Sequence, residues 1–306
     1  MEEKRSVQAF STKSRPGAAI RIKDINVWEF FDPNSPWVLV HDGSLMGIFD
    51  FVPKYLRVGP WTFISKVYVA IIVAKLIYLM PRRESFLLDE EALSVHPTAF
   101  SNFWLYNTII FVWMKIVLAA TLRLRGTGVV VTYTIQSWII LMARHGLSSL
   151  APFLPKGHLL LWVNELLRFP ALATASVTFF YWNFIIAPVI YYNLQTPLRK
   201  QEFLRFNFNF RMVQVHFFNI IFATMNTIVT SSRPLLYVDL WCGLAGVVCY
   251  ALMYLFVLDR LGVHLYPIFS PRTVWSALSW SALIGSYVGF YKVWNYIISI
   301  GMLQMQ

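Results

Sequence analysis

From residue 62 onward the chain is a succession of apolar stretches of bilayer length, and that spacing leaves few folds open to it. The stretches run roughly 62–80, 102–122, 128–149, 168–192, 212–231, 237–258 and 274–300. A helix of about 20 apolar residues crosses the ~30 Å hydrocarbon core of a bilayer. A backbone in lipid has no water to bond and must close its hydrogen bonds internally, as a helix or a closed barrel. The sequence therefore predicts an all-α polytopic transmembrane bundle of about seven spans. It predicts six if the first stretch, which carries Lys66 and Lys75, is re-entrant. Composition agrees: the 306 residues are 57% hydrophobic and 13% charged, against about 25% charged in an ordinary soluble domain.

The chain divides into a basic N-terminal segment, 1–60, a transmembrane bundle, 61–300, and a short tail, 301–306. Pro16, Pro33, Pro36 and Pro53 break the first segment, and Trp28, Phe30, Phe31 and Trp37 place part of it at the membrane surface. The net charge of +11 is spread as a topology signal rather than as a nucleic-acid patch. Lys4, Arg5, Lys13, Arg15, Arg21 and Lys23, together with the basic residues of the second, fourth and sixth connections, lie on one side. Arg82, Arg83, Arg144, Lys156, Arg168 and Arg233 are assigned to the other, where Glu84, Asp89, Glu90 and Glu91 counter the first two. By the positive-inside rule the N-terminus is cytosolic and the C-terminus is not. Glu2, Glu3 and the lack of a short apolar core early on argue against a secretory signal, which makes the endoplasmic reticulum the default location.

Several chemistries have no residues to carry them. Cys242 and Cys249 lie about 10 Å apart along one helix, too far for a disulfide. There is no CxxC, HExxH or His/Cys cluster, so no metal is expected. The absence of GxGxxG and GxxxxGK[ST] argues against a nucleotide enzyme. No cofactor is expected.

One residue stands out. His216 is ionisable inside the apolar run Met212–Val229, and a charged or titratable group in such a run is costly and by default marks a site. At about 100° per residue, Asn219, Thr227 and Thr230 share its side of the helix, with Ala223 between them, while Phe218, Ile221, Met225 and Ile228 take the opposite side. A second polar cluster, Thr132, Thr134, Gln136 and Ser137, opens the third stretch. Thr134 and Ser137 share one face at i, i+3, and Thr132 and Gln136 another at i, i+4. Hydroxyl residues in membrane helices commonly pack helices together or bond a carbonyl one turn back. Asn183 can bond across helices. Tyr181, Trp182, Tyr191 and Tyr192 suit a lined pocket or an interfacial belt equally. His41, His145, His158 and His264 fall near span ends or loops, where water reaches them, and His96 precedes a proline. Asp239, near Tyr237, and Asp259, beside Arg260, read as interfacial pairs. Lys75 and Lys115 are deep enough in their spans to line a cavity.

A threonine and a histidine on neighbouring helices suit covalent hydrolysis. A hydroxyl is a weak nucleophile that needs a base within hydrogen-bond reach, and an imidazole can take the proton and return it to the leaving group. No Asp or Glu in the spans can orient that histidine, so Asn219 or a backbone carbonyl has to.

Four stretches carry a resemblance. LLRFPALATASVTFFYWNFII (Leu166 to Ile186), VQVHFFNIIFATMN, VLDRLGVHLYPIF (Val257 to Phe269) and VVVTYTIQSWIILMARHGLSSL resemble, in order and spacing, the helices of the androgen-induced multipass hydrolases, over about residues 128–300. That resemblance implies an intramembrane threonine hydrolase that cleaves fatty acid esters of hydroxy fatty acids, with no cofactor and with a lipid substrate taken from the bilayer. It implies His216 as the base. Aligning on Gly146 selects Thr134 as nucleophile, and aligning on the preceding apolar triplet permits Thr132; Thr134 is preferred. Gln136, Ser137, Asn183 and Asn219 are candidate supporting groups. Residues 1–100 have no counterpart in the family, and Asn226 stands where the family carries an acidic residue. The alternative is a non-catalytic membrane protein, a transporter or a structural subunit of a membrane complex. Lys75 and Lys115 would favour a bound anion, although no internal repeat supports a transporter. Membrane lipids are the expected surroundings, nucleic acid is not an expected partner, and no protein partner is indicated.

Overall fold

The computed structural model describes residues 61–86, 98–194, 196–230, 233–258, 266, 269, 271 and 275–305. The 1–60 segment, His41, His96, His264 and the Asp259–Arg260 pair lie outside them. The described residues are helical, without a strand, and each of the seven apolar stretches contains helix. The principal elements are α1 (Phe63–Tyr78), α2 (Asn102–Arg125), α3 (Tyr133–Leu150), α4 (Leu159–Leu166), α5 (Arg168–Phe180), α6 (Ala187–Asn193), α7 (Pro197–Asn207), α8 (Phe210–Val213), α9 (Asn219–Thr230), α10 (Tyr237–Leu252) and α11 (Trp275–Met305). Three π-helical segments interrupt them: π1 (Tyr181–Ile186), π2 (Gln214–Phe218) and π3 (Met253–Leu258). Among the described residues, three helices are long and apolar enough to cross a membrane, Asn102–Arg125, Leu159–Tyr192 and Tyr237–Leu258.

Local sequence accounts for the ends. Hydroxyls at the N-cap satisfy first-turn amides that the helix leaves without partners: Thr62 for Ser65, Ser101 for Trp104, Thr132 for Ile135. Gly126, at φ 77°, ends α2 in a conformation a side chain would resist. Thr132 also places the start of α3, at Tyr133, five residues later than the hydropathy boundary at 128, because Thr127–Val131 winds as a tighter turn before the cap. Pro188, just past π1, removes one N–H from the ladder, a common cause of local rewinding.

Helix α5 is the axis of the molecule. Every residue from Arg168 to Thr178 is buried, as expected of a helix surrounded on all sides. It packs on α3, α9, α10 and α11. Its Ala171, Ala173, Ala175 and Ser176 are small, which lets backbones approach. Gly243 of α10 serves the same close packing, since a Cβ there would meet the Phe169 ring at 2.7 Å. The outward surface is apolar. Phe63, Ile71, Ile109, Ile116, Phe184, Phe217, Ile221, Met225 and Val293 are among its exposed residues, as a protein immersed in lipid requires.

Helices α3 and α9 run parallel, in register at a constant offset of 82 residues. Thr134 bonds His216, Ser137 bonds Asn219, and Arg144 bonds Asn226. The fourth position of the same heptad-like seam pairs Leu141 with Ala223, both fully buried in one cluster.

Three expectations are corrected. Arg144 and Arg168 are not loop residues; both are fully buried within helices. His145 is sealed from solvent and bonds Asn107 through Nδ1 at 2.8 Å. Lys75 and Lys115 are exposed on the outer surface rather than lining a cavity, and the Lys115 ammonium lies over the Phe111 ring. Their stems reach outward from the helix flank, as long basic side chains do near an apolar surface.

Candidate active site

Thr134 sits in the first turn of α3, and His216 sits in π2, just before α9. The seam between these helices brings Thr134 Oγ1 to 3.2 Å from His216 Nε2. The other ring nitrogen, Nδ1, lies 3.2 Å from the Met212 carbonyl. A carbonyl can only accept, so Nδ1 carries the proton and Nε2 presents its lone pair to the threonine hydroxyl. That is the tautomer a general base needs, set by a backbone carbonyl one turn earlier rather than by a carboxylate. His216 is 5% exposed. The Trp182 ring stacks on the imidazole at 4.2 Å with 23° between planes, and the Trp182 indole donates to Asn207 Oδ1 at 2.6 Å. Asn183 Nδ2 donates to the His216 carbonyl at 3.2 Å and to that of Phe179 at 2.8 Å. π2 and π1, which carry His216 and Trp182, are both at this site, and π-bulges recur at functional sites because they reorient a side chain at small cost to the helix.

The other sequence candidates separate. Thr132 is the N-cap: its hydroxyl donates to the Val129 carbonyl at 2.8 Å and accepts from the Ile135 amide at 3.3 Å, so both its capacities go to backbone. Ser137 accepts from Asn219 Nδ2 at 3.0 Å, one rung below the dyad. Asn219 therefore supports the seam and does not orient the imidazole; its Oδ1 has no partner among the described residues. Gln136 turns away, its Nε2 lying 3.5 Å from Met253 Sδ of π3.

Beside the dyad lies a cleft of about 450 Å³, a figure that includes space open to the outside. Thr134 and Trp182 line it together with Tyr133, Val177, Thr178, Tyr181, Tyr250, Tyr266 and Leu283. The wall is apolar and aromatic with a few hydroxyls, which suits a lipid chain carrying one polar linkage. Among the lining groups not picked out from the sequence, Thr178 and Tyr266 bring hydroxyls to the cleft. Thr178 gives no separate signal among the hydroxyls of α5, although Thr174 and Ser176 bond back to carbonyls four residues earlier and Thr178 Oγ1 has no partner among the described residues. Tyr266 lies in the stretch Val257 to Phe269 that carries part of the resemblance, so a signal for it existed.

Comparison with known proteins gives no match, whether to family models, to characterised proteins or to solved structures.

Proposed function

We propose that the chain is an integral-membrane lipid ester hydrolase of the threonine type. Thr134 attacks the ester carbonyl, and His216 takes its proton and returns it to the departing alcohol. Water then releases the acyl group from the threonine by the same proton path in reverse. The observation that carries this reading is the Thr134–His216 contact at 3.2 Å, with the imidazole turned by the Met212 carbonyl so that its free nitrogen meets the hydroxyl. The aromatic cleft beside the hydroxyl supports a lipid substrate. The resemblance to the androgen-induced multipass hydrolases points to fatty acid esters of hydroxy fatty acids or related lipid esters, entering sideways from the bilayer.

The seven helical stretches are read as seven spans, with the N-terminus cytosolic and the endoplasmic reticulum as the membrane. Thr134, His216 and Tyr266 then all lie toward the cytosolic side. The outward lysines give a transporter no interior anion site. The test is hydrolysis of a hydroxy-fatty-acid ester by the purified protein and by Thr134→Ala and His216→Ala. The proposal expects turnover in the parent and its loss in both variants. Turnover preserved in either variant overturns the dyad.

A further inference from the structure

An ester hydrolase needs donors aimed at the carbonyl oxygen as it becomes an oxyanion, and resting on the dyad reading, we propose that the Tyr266 hydroxyl is the principal one. Tyr266 comes from the connection between π3 and α11, remote in sequence from both members of the dyad. Its backbone is clamped by a single buried hydroxyl: Tyr254 Oη accepts from the Tyr266 amide at 3.0 Å and donates to its carbonyl at 2.8 Å. Its ring packs against Tyr254 and Phe269, with centroids at 6.3 and 6.1 Å. The side chain is thus held before substrate arrives, which is what makes a donor useful in the transition state.

Tyr266 lines the cleft beside the dyad together with Thr134, the proposed nucleophile. Thr178, on the same cleft, is 4% exposed and its hydroxyl has no partner among the described residues. An unsatisfied buried hydroxyl costs free energy unless a ligand completes it, and it marks where the polar part of the substrate rests.

The step balances within these groups. The Thr134 oxygen bonds the carbonyl carbon while its proton passes to His216 Nε2. The carbonyl π pair moves onto oxygen, which accepts the Tyr266 O–H bond without taking its proton. When that pair returns, the ester C–O bond breaks and the alkoxide receives the proton from His216.

Tyr266→Phe removes one oxygen and keeps the ring, so it is assayed beside Thr134→Ala and His216→Ala on a p-nitrophenyl ester of a long-chain fatty acid. Loss of one oxyanion donor lowers kcat by roughly 10²–10³, and KM is expected to stay near the parent value. The same variant should bind a long-chain trifluoromethyl ketone, which forms a tetrahedral adduct, more weakly by a similar factor, while affinity for the corresponding ether is unchanged. A merely structural tyrosine would not split the two analogues. If Tyr266→Phe keeps parental kcat while the two dyad variants are inactive, the dyad stands and the Tyr266 role is wrong. If all three keep parental kcat, the hydrolase reading and this inference fall together.

Discussion

The same two helices bury polar groups at both ends of their seam, and the two ends are built on opposite principles. Thr134 and His216 stand at one end; ten residues on, about 15 Å along each helix, stand Arg144 and Asn226. At the arginine end polar groups are bonded to one another. Arg144 donates through Nε to Asn226 and through Nη1 to the Asn164 carbonyl at 2.9 Å. Asn107 Oδ1 receives both Asn226 and His145. Arg233 reaches Glu165 at 3.2 Å and grips both oxygens of Asp239 at 2.7 and 3.0 Å. Arg168 donates to the Arg233 carbonyl and keeps Nε and Nη2 unpaired among the described residues, yet it, Arg144, His145 and Ser148 are sealed to 0% exposure. The dyad end has fewer partners and a cleft, with an unpaired Thr178 hydroxyl on its wall. What separates the two ends is access: the arginine end is sealed among helices and holds them together, even with Arg168 Nε and Nη2 and His145 Nε2 unpaired among the described residues, whereas the dyad end opens on a cleft where a ligand can meet it.

The contrast predicts opposite responses to mutation. Thr134→Ala and His216→Ala should each lower turnover by roughly 10⁶, on the scale seen when a nucleophile or its base is removed, and should leave the thermal midpoint close to the parent. A midpoint that falls with the activity would assign the dyad to packing. Arg233→Ala should do the reverse. It leaves Glu165 and Asp239 buried without their cation, which costs about 3–5 kcal/mol, measurable as a lower denaturation midpoint in detergent. Turnover per folded molecule should persist, and a selective loss of turnover would erase the distinction between the two ends. Thr132→Ala is the smallest and sharpest case. Losing the N-cap costs about 1 kcal/mol of helix stability, with turnover retained in the folded protein, so two threonines two residues apart should separate into a cap and a nucleophile.

Hydropathy is a local property, so the helical stretches were legible to within a few residues, and His216 was visible as an ionisable group in an apolar run. Thr134 entered through the resemblance and its face. The 82-residue register between α3 and α9 was not legible, because nothing local tells one amphipathic face which other face it meets. Two members of the arginine cluster were misread for the same reason. Arg144 and Arg168 stand near the ends of apolar runs, where loop residues stand too, whereas Arg233 does lie between helices as read. Their burial follows from Glu165, Asp239 and Asn226, which only the folded packing brings to them. No proline or glycine lies in π2 to announce the rewinding at His216, and the Met212 carbonyl that orients the imidazole is a backbone group that no motif marks.

The most direct test of the central claim is to treat the folded protein with a long-chain fluorophosphonate and locate the covalent adduct by peptide mass spectrometry. The account predicts one adduct, on Thr134, present in Thr132→Ala and lost in Thr134→Ala and His216→Ala. An adduct on Thr132 or on any other residue, or none on active protein, would contradict it.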